Sequence, residues 1–209
     1  MRPVIIVFAK APVPGQVKTR LAARIGAPQA AALHDACVRD TLEKLLALDS
    51  PAEVELHTDI CTDAWRDYPV TQRLQLPGNL GVKMFGAMAS ALERGCRQVC
   101  IVGSDSPALP AQHLLHLLSL ASDVALAPCD DGGYYAIACR RTDPLMFDGV
   151  AWSSPTALAD TERAALACGL SVERGIIGYD VDEYDDLVRL AGEPSLPQHT
   201  RRCLERLLR

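Results

Sequence analysis

Lys10, Lys18 and Arg20 are the first residues whose types and spacing suggest chemistry. They fall within FAKAPVPGQVKTRL, Phe8 to Leu21, directly after the apolar run Val4–Phe8. A loop that follows a strand needs Pro12, Pro14 and Gly15 for its turns, but it does not need three cations converging on the strand's carboxyl end. In open α/β sheets that end borders the crevice where ligands sit, so the spacing predicts an anionic ligand, a phosphate chain above all, held by Lys10, Lys18 and Arg20 with Gly15 at the turn.

Two acidic stretches offer the complementary charge. In CIVGSDSPALP, Cys100 to Pro110, three apolar residues end in Gly-Ser-Asp, which puts Asp105 at the carboxyl tip of a central strand. Pro107 and Pro110 then stop the strand and start a helix. Asp105 has two readings: a cap for that helix, or a carboxylate ligand for Mg²⁺ or Mn²⁺, hard cations that take oxygen ligands and bridge to phosphates. In YDVDEYDDL, Tyr179 to Leu187, Asp180 and Asp182 flank Val181 and share one face of an extended segment, with a helix expected from about Glu183. Acids there are ordinary capping and dipole residues of a helix start, and Asp182 is alternatively a second metal ligand.

Three further stretches could border the same pocket. Gly78, Asn79 and Gly81 in PGNLG precede a helix and would let a base or ribose approach the backbone, or would simply form a turn. Asp131, Gly132 and Gly133 belong to CDDGGYY, whose two acids and two tyrosines exceed what a hairpin turn requires. Trp152 and Ser153 in WSSP suit a substrate-stacking loop, although a lone Trp also serves as a packing plug. The five histidines show no metal-ligand spacing, and GxSxG, GxxxxGK[ST] and GxGxxG are all missing from the sequence.

These residues must be carried by elements the sequence also suggests. Short β-branched runs at 3–9, 53–59, 98–103, 122–128, 133–139 and 171–177 alternate with 3.6-period segments at 27–48, 81–94, 110–120, 156–168 and 183–191, with a last basic helix from 197 to 209. That alternation predicts an α/β fold with a mostly parallel sheet. Between 122 and 139 only CDDGG separates two strands, too little for a helix, so the pair must form a hairpin: one antiparallel insertion. No linker or repeat breaks the chain, and residues 1–209 are expected to form a single domain.

Composition narrows the setting. A net charge of −5 sets the opening cations against an acidic background and disfavours general nucleic-acid or membrane-surface binding. The eight cysteines form no CxxC pair and fall mostly in apolar stretches, as in a reducing compartment. With no window of eighteen apolar residues, the expectation is a cytoplasmic protein without membrane insertion, with room for self-association.

Taken in order, FAKAPVPGQVKTRL, GNLG, GSDSPALP, DDGGYYAI, AWSSP and DVDEYDDL resemble an uncharacterised bacterial family of glycosyltransferase-A-like proteins. That family lies in the nucleotide-diphospho-sugar transferase superfamily, with 2-phospholactate guanylyltransferase as a relative by the first motif. The resemblance implies a three-layer α/β/α sandwich. It also implies phosphate contacts from Lys18 and Arg20 with Lys10 nearby, a metal ligand at Asp105, and a second-substrate border at Gly132 and Gly133. Asp182 matches the place where some cytidylyltransferases supply their other metal carboxylate. There the usual DxDTPEDL-like segment is altered, Glu183-Tyr184-Asp185 standing for Thr-Pro-Glu, while the carboxylate survives. The first loop also lacks the GxGxR-type glycines of many nucleotidyltransferases.

The expected function is a metal-dependent transferase acting on a nucleotide, NTP or NDP-sugar, and a small-molecule acceptor, with Lys18 and Asp105 as the catalytic pair. Nucleotidyl transfer to an anionic acceptor and glycosyl transfer both fit. The alternative is a non-catalytic nucleotide-binding regulatory module.

Overall fold

The computed structural model describes residues 2–207. Its elements, in chain order, are β1 (Val4–Ala9), α1 (Thr19–Ile25), α2 (Ala27–Leu46), β2 (Glu53–Thr58), β3 (Thr71–Leu74), α3 (Leu80–Glu93), β4 (Val99–Gly103), α4 (Ala111–Ser119), β5 (Val124–Pro128), β6 (Tyr134–Cys139), a 3₁₀ turn (Pro144–Phe147), α5 (Ala157–Ala167), β7 (Val172–Arg174), α6 (Tyr184–Ala191) and α7 (Gln198–Leu207).

The strands form one seven-stranded sheet in the order β3-β2-β1-β4-β6-β5-β7. β6 runs antiparallel to both β4 and β5, and every other pairing is parallel. The expected α/β architecture with one antiparallel insertion is what forms. The insertion follows from chain length: Cys129 N–H donates to the Gly133 carbonyl at 2.9 Å, closing a turn too short for a crossover.

Period-2 alternation in β1 builds both layers. Ile5 and Val7 face α2 and α4, packing with Val38, Leu42, Leu45, Leu114 and Leu117. Val4 and Ile6 face the other way, against Met84 and Met88 of α3 and Leu158 and Ala165 of α5. Burial on both faces explains the unbroken apolar run of a central parallel strand. A third cluster, Leu21, Leu33, Cys37, Tyr179, Val181, Leu187 and Leu190, ties α1, α2 and α6 to the segment before α6. Val181 is fully buried there, and burying such a side chain contributes about 1.5–3 kcal/mol, which holds its neighbour Asp182 in place.

Three elements escape sequence patterning. β3, TQRL, is a largely exposed edge strand paired only with β2, so it carries no buried alternation. α1 has one buried residue, Leu21, too few to show a period. The 3₁₀ turn is four residues long and capped locally by Asp143, whose carboxylate accepts from Leu145 N–H.

Candidate active site

The carboxyl ends of β1 and β4 lie side by side, and the connections from this pair turn to opposite faces: α2 follows β1 on one, α3 precedes β4 on the other. This is the topological switch point at which open α/β sheets bind ligands. A cleft of about 560 Å³ opens there, within the roughly 300–1,000 Å³ range of small-molecule sites. Its walls include Lys10, Lys18, Arg20, Lys83, Asp105, Asp182 and Ser153.

Lys18 organises the cleft. It caps α1 in the left-handed region, φ 44° and ψ 47°, which turns its side chain back beneath the loop instead of out to solvent. The side chain is 2% exposed, and its Nζ donates to Asp105 Oδ1 at 2.5 Å and to the Val181 carbonyl at 2.7 Å. Val181 N–H in turn donates to the Asp105 carbonyl at 2.9 Å. One ammonium thus joins the opening loop, the tip of β4 and the segment carrying Asp182. The only other non-glycine residue with positive φ among the described residues is Ser153, φ 60°, on the same cleft. Left-handed backbone costs a non-glycine residue roughly 1–2 kcal/mol, and both residues that bear this cost line the cleft.

The two carboxylates titrate in opposite directions. Burial alone would raise Asp105, but Lys18, then His34 and the Lys18 hydrogen bond, hold it below the usual carboxylate range. Burial also opposes the charge on Lys18, yet Asp105 raises its pKa above the usual lysine value. Asp182 is pushed up by burial and then by the negative charge of Asp105, with Lys18 and Arg20 offsetting part of the rise. Arg20 Nη1 stands 3.8 Å from both Asp182 Oδ2 and Glu183 Oε1 with its side chain 59% exposed, a loose pair that an incoming anion can break at little cost.

The donor set suits a hard cation. Asp105 and Asp182 offer only carboxylate oxygens, Lys18 occupies Oδ1 of Asp105 alone, and two carboxylates with phosphate and water oxygens make a common Mg²⁺ environment. Compact groups of three potential ligands do occur elsewhere among the described residues, Cys129 with Asp131 and Asp180, and Asp40 with Glu43 and His199. The Asp40 oxygens in the latter accept from His199 and Thr200 N–H and cap α7.

Several sequence-predicted residues lie off the lining of this cleft. Gly15 sits in an exposed turn, φ 82°. Gly78 shapes the turn into α3, and Asn79 caps that helix by accepting from Val82 N–H at 3.0 Å. Gly81 is buried: a Cβ there would lie 2.8 Å from Phe147 Cβ and 3.1 Å from Trp152. Trp152 is half-buried, its ring 6.1 Å from Phe147 and 6.5 Å from Tyr134. Asp131 accepts from Gly133 N–H at 2.8 Å within the hairpin turn, and a Cβ at Gly132 would strike the Pro155 carbonyl. The hairpin and the WSSP loop therefore support each other and present Ser153 to the cleft.

Sequence reasoning missed Lys83, Gln75 and His34, which also line the cleft. Lys83, like Lys10, has no ion-pair or hydrogen-bond partner for its ammonium among the described residues. Its signal was its place one helical turn after the Asn79 cap. His34 Nε2–H donates to the Lys10 carbonyl at 2.9 Å and so braces the loop, and burial lowers its pKa.

Comparison with known proteins places this geometry in a lineage. Residues 32–154, more than half of the chain, match DUF2064, described as uncharacterized protein conserved in bacteria. The chain belongs to that family. The matched segment takes in Asp105, the hairpin and Trp152. No curated protein matches the chain. Among solved structures, a “putative nucleotide-diphospho-sugar transferase” from Desulfovibrio desulfuricans G20 is similar at 28% identity and TM-score 0.84, over 98% of this chain and 94% of that one. The fold is also shared with CMP:2-keto-3-deoxy-manno-octonic acid synthetase complexed with CTP, at 13% identity and TM-score 0.59 over 90% of this chain and 96% of that one. It is shared again with 4-diphosphocytidyl-2C-methyl-D-erythritol synthase from Anaerococcus prevotii DSM 20548, at 12% identity and TM-score 0.53 over 90% and 96%. The DUF2064 chain thus has the nucleotide-diphospho-sugar transferase fold. No helix of the described residues is long and apolar enough to cross a membrane.

Proposed function

We propose that this DUF2064 protein is a nucleotide-using transferase whose preferred reaction is nucleotidyl transfer from an NTP to an anionic small-molecule acceptor. The observation that carries the reading is the charge balance of one cleft: Lys10, Lys18, Arg20 and Lys83 against Asp105 and Asp182, at the switch point of the sheet. An excess of cations in a concave site calls for a ligand with several negative charges, as a triphosphate has.

In this reaction an acceptor oxygen attacks the α-phosphorus. The new P–O bond forms as the α–β bridging bond breaks, and pyrophosphate leaves with the bonding pair. An acceptor that arrives as an oxyanion needs no protein base, so the chain's work is positioning and charge stabilisation. Arg20 and Lys10 bind phosphate oxygens from the opening loop. Lys18 holds Asp105 ionised and fixed, and Lys83 approaches from the opposite wall. Asp105 and Asp182 would hold Mg²⁺ or Mn²⁺, which when bound neutralises charge on the phosphates.

Glycosyl transfer from an NDP-sugar is the second reading, and the description of the Desulfovibrio desulfuricans relative favours it. A panel of NTPs and NDP-sugars with Mg²⁺ or Mn²⁺, read by thermal shift, separates the two, because a ligand that binds only the native state raises apparent stability. A triphosphate-selective shift supports nucleotidyl transfer, and a shift with one NDP-sugar alone supports glycosyl transfer. No shift with any of them would overturn both.

A further inference from the structure

Lys44 belongs to none of the stretches the sequence marks as chemical, yet it acts on the turn that follows Asp105. That turn, Ser106–Pro110, contains two prolines and therefore lacks two backbone donors. Within it Leu109 N–H reaches the Ser106 carbonyl at 3.2 Å, and the carbonyls of Pro107 and Leu109 need a donor from elsewhere. Lys44 supplies it. From the last turn of α2 its stem crosses a narrow pocket walled by Thr41, Leu45, Leu109 and Leu114, and its Nζ donates to Pro107 O at 2.6 Å and Leu109 O at 2.5 Å. No other side chain among the described residues hydrogen-bonds this turn.

We propose that Lys44 is a positioning residue: by pinning the Ser106–Pro110 turn to α2, it fixes the direction in which Asp105 presents its carboxylate to Lys18 and the cleft. Asp105 then has three anchors from three parts of the chain. Its carboxylate is held by Lys18, its carbonyl by Val181 N–H, and the chain leaving it by Lys44. Without Lys44 the Pro107 and Leu109 carbonyls would have no side-chain donor, and the chain leaving Asp105 would lose its tie to α2.

The surroundings of Lys44 make the clamp sensitive to its charge. Burial pushes its pKa down to about 8, with Asp40 and then Cys37 of α2 opposing the fall. From α4, His113 faces it as a further titratable group, its own pKa lowered by burial, then by His116 and Lys44, and Tyr135 of β6 lines the same pocket. Near neutral pH the ammonium donates to both carbonyls, and its loss of a proton weakens the charge-assisted bonds.

The role of the clamp in binding rests on the reading of Asp105 above, so the test has one arm that is independent of it. Amide hydrogen exchange of Ser104–Leu109 is compared in the wild type, Lys44→Met and Lys44→Arg, corrected for intrinsic pH dependence. Mn²⁺ uptake is measured on the same proteins by its paramagnetic resonance signal. Lys44→Met should speed exchange in this turn about tenfold or more while β1 and β4 are unchanged, and Lys44→Arg should recover part of the protection. Wild-type exchange should rise as pH passes about 8 and the Lys44→Met profile should stay flat. Mn²⁺ affinity should fall with the loss of protection. Unchanged exchange in the turn, or an equal rise in β1 and β4, would overturn the proposal. Localised exchange in a protein that takes up no Mn²⁺ would uphold the clamp and refute the metal reading of Asp105 instead.

Discussion

Lys18 Nζ and Asp105 Oδ1 meet at 2.5 Å although 87 positions separate them in sequence, and each makes the other's charge tenable in a cleft where burial opposes both. Both groups line the cleft at the switch point of the sheet, so the proposed ligand role of the cleft has measurable consequences.

Lys18→Met should cost about 1–3 kcal/mol of stability in urea unfolding at pH 7. It leaves a carboxylate that is 40% exposed without its partner, a smaller penalty than the roughly 3–5 kcal/mol of breaking a fully buried pair. The pH dependence follows from the two shifts. Asp105 is depressed, so its contribution is present above its ordinary pKa of 3.8 and lost as pH falls through the lower folded value. Lys18 is raised, so its contribution is present below 10.5 and lost as pH rises through the higher folded value. The difference between wild type and variant should therefore be a plateau that narrows at both extremes.

Arg20→Ala separates binding from folding. Its side chain is 59% exposed and its ion pairs are 3.8 Å long, so stability should change by less than about 0.5 kcal/mol. Triphosphate affinity, measured by calorimetry, should fall roughly tenfold through loss of a charge-assisted phosphate contact. Unchanged affinity would remove the opening loop from the phosphate site.

Much of this arrangement was legible from residue pattern. The runs Val4–Phe8 and Cys100–Val102 identify strands buried on both faces, and a loop rich in cations after the first and an Asp at the tip of the second place both at one crevice. CDDGG dictates the hairpin because nothing longer than a turn fits. What escaped depends on contacts distant in sequence. β3 has only an edge pairing and no buried alternation. Lys44 is an ordinary helix lysine until the Pro107 and Leu109 carbonyls come within reach. Lys83 stands one helical turn after the Asn79 cap, but the cleft its helix faces exists only once the fold has formed.

Lys83→Ala tests that last residue. Its ammonium has no partner among the described residues, so removing it should leave the melting temperature within about 2 °C while weakening binding of the anionic ligand by roughly tenfold. A loss confined to the acceptor in two-substrate titrations would assign Lys83 to the acceptor side, and a loss confined to the triphosphate would assign it to the nucleotide. No loss in either would take it out of the site.

Asp182→Asn should stabilise the ligand-free protein near neutral pH, because burial and the neighbouring Asp105 both disfavour its charge. The sign follows from its raised pKa. The folded state holds this proton more tightly than the unfolded chain, so the wild type loses stability as pH rises from about 3.8 through the folded value, and the variant does not. The gain in melting temperature should vanish below that window.

The most direct test of the central claim is calorimetric titration of the triphosphate selected by thermal shift, with and without Mg²⁺, into wild type and Asp105→Asn. Mg²⁺ should strengthen binding to the wild type by at least about tenfold, and Asp105→Asn should abolish this gain while keeping the Mg²⁺-independent part supplied by Lys10, Arg20 and Lys83. Equal strengthening by Mg²⁺ in both proteins would contradict the assignment of Asp105 as the metal-holding carboxylate of the cleft.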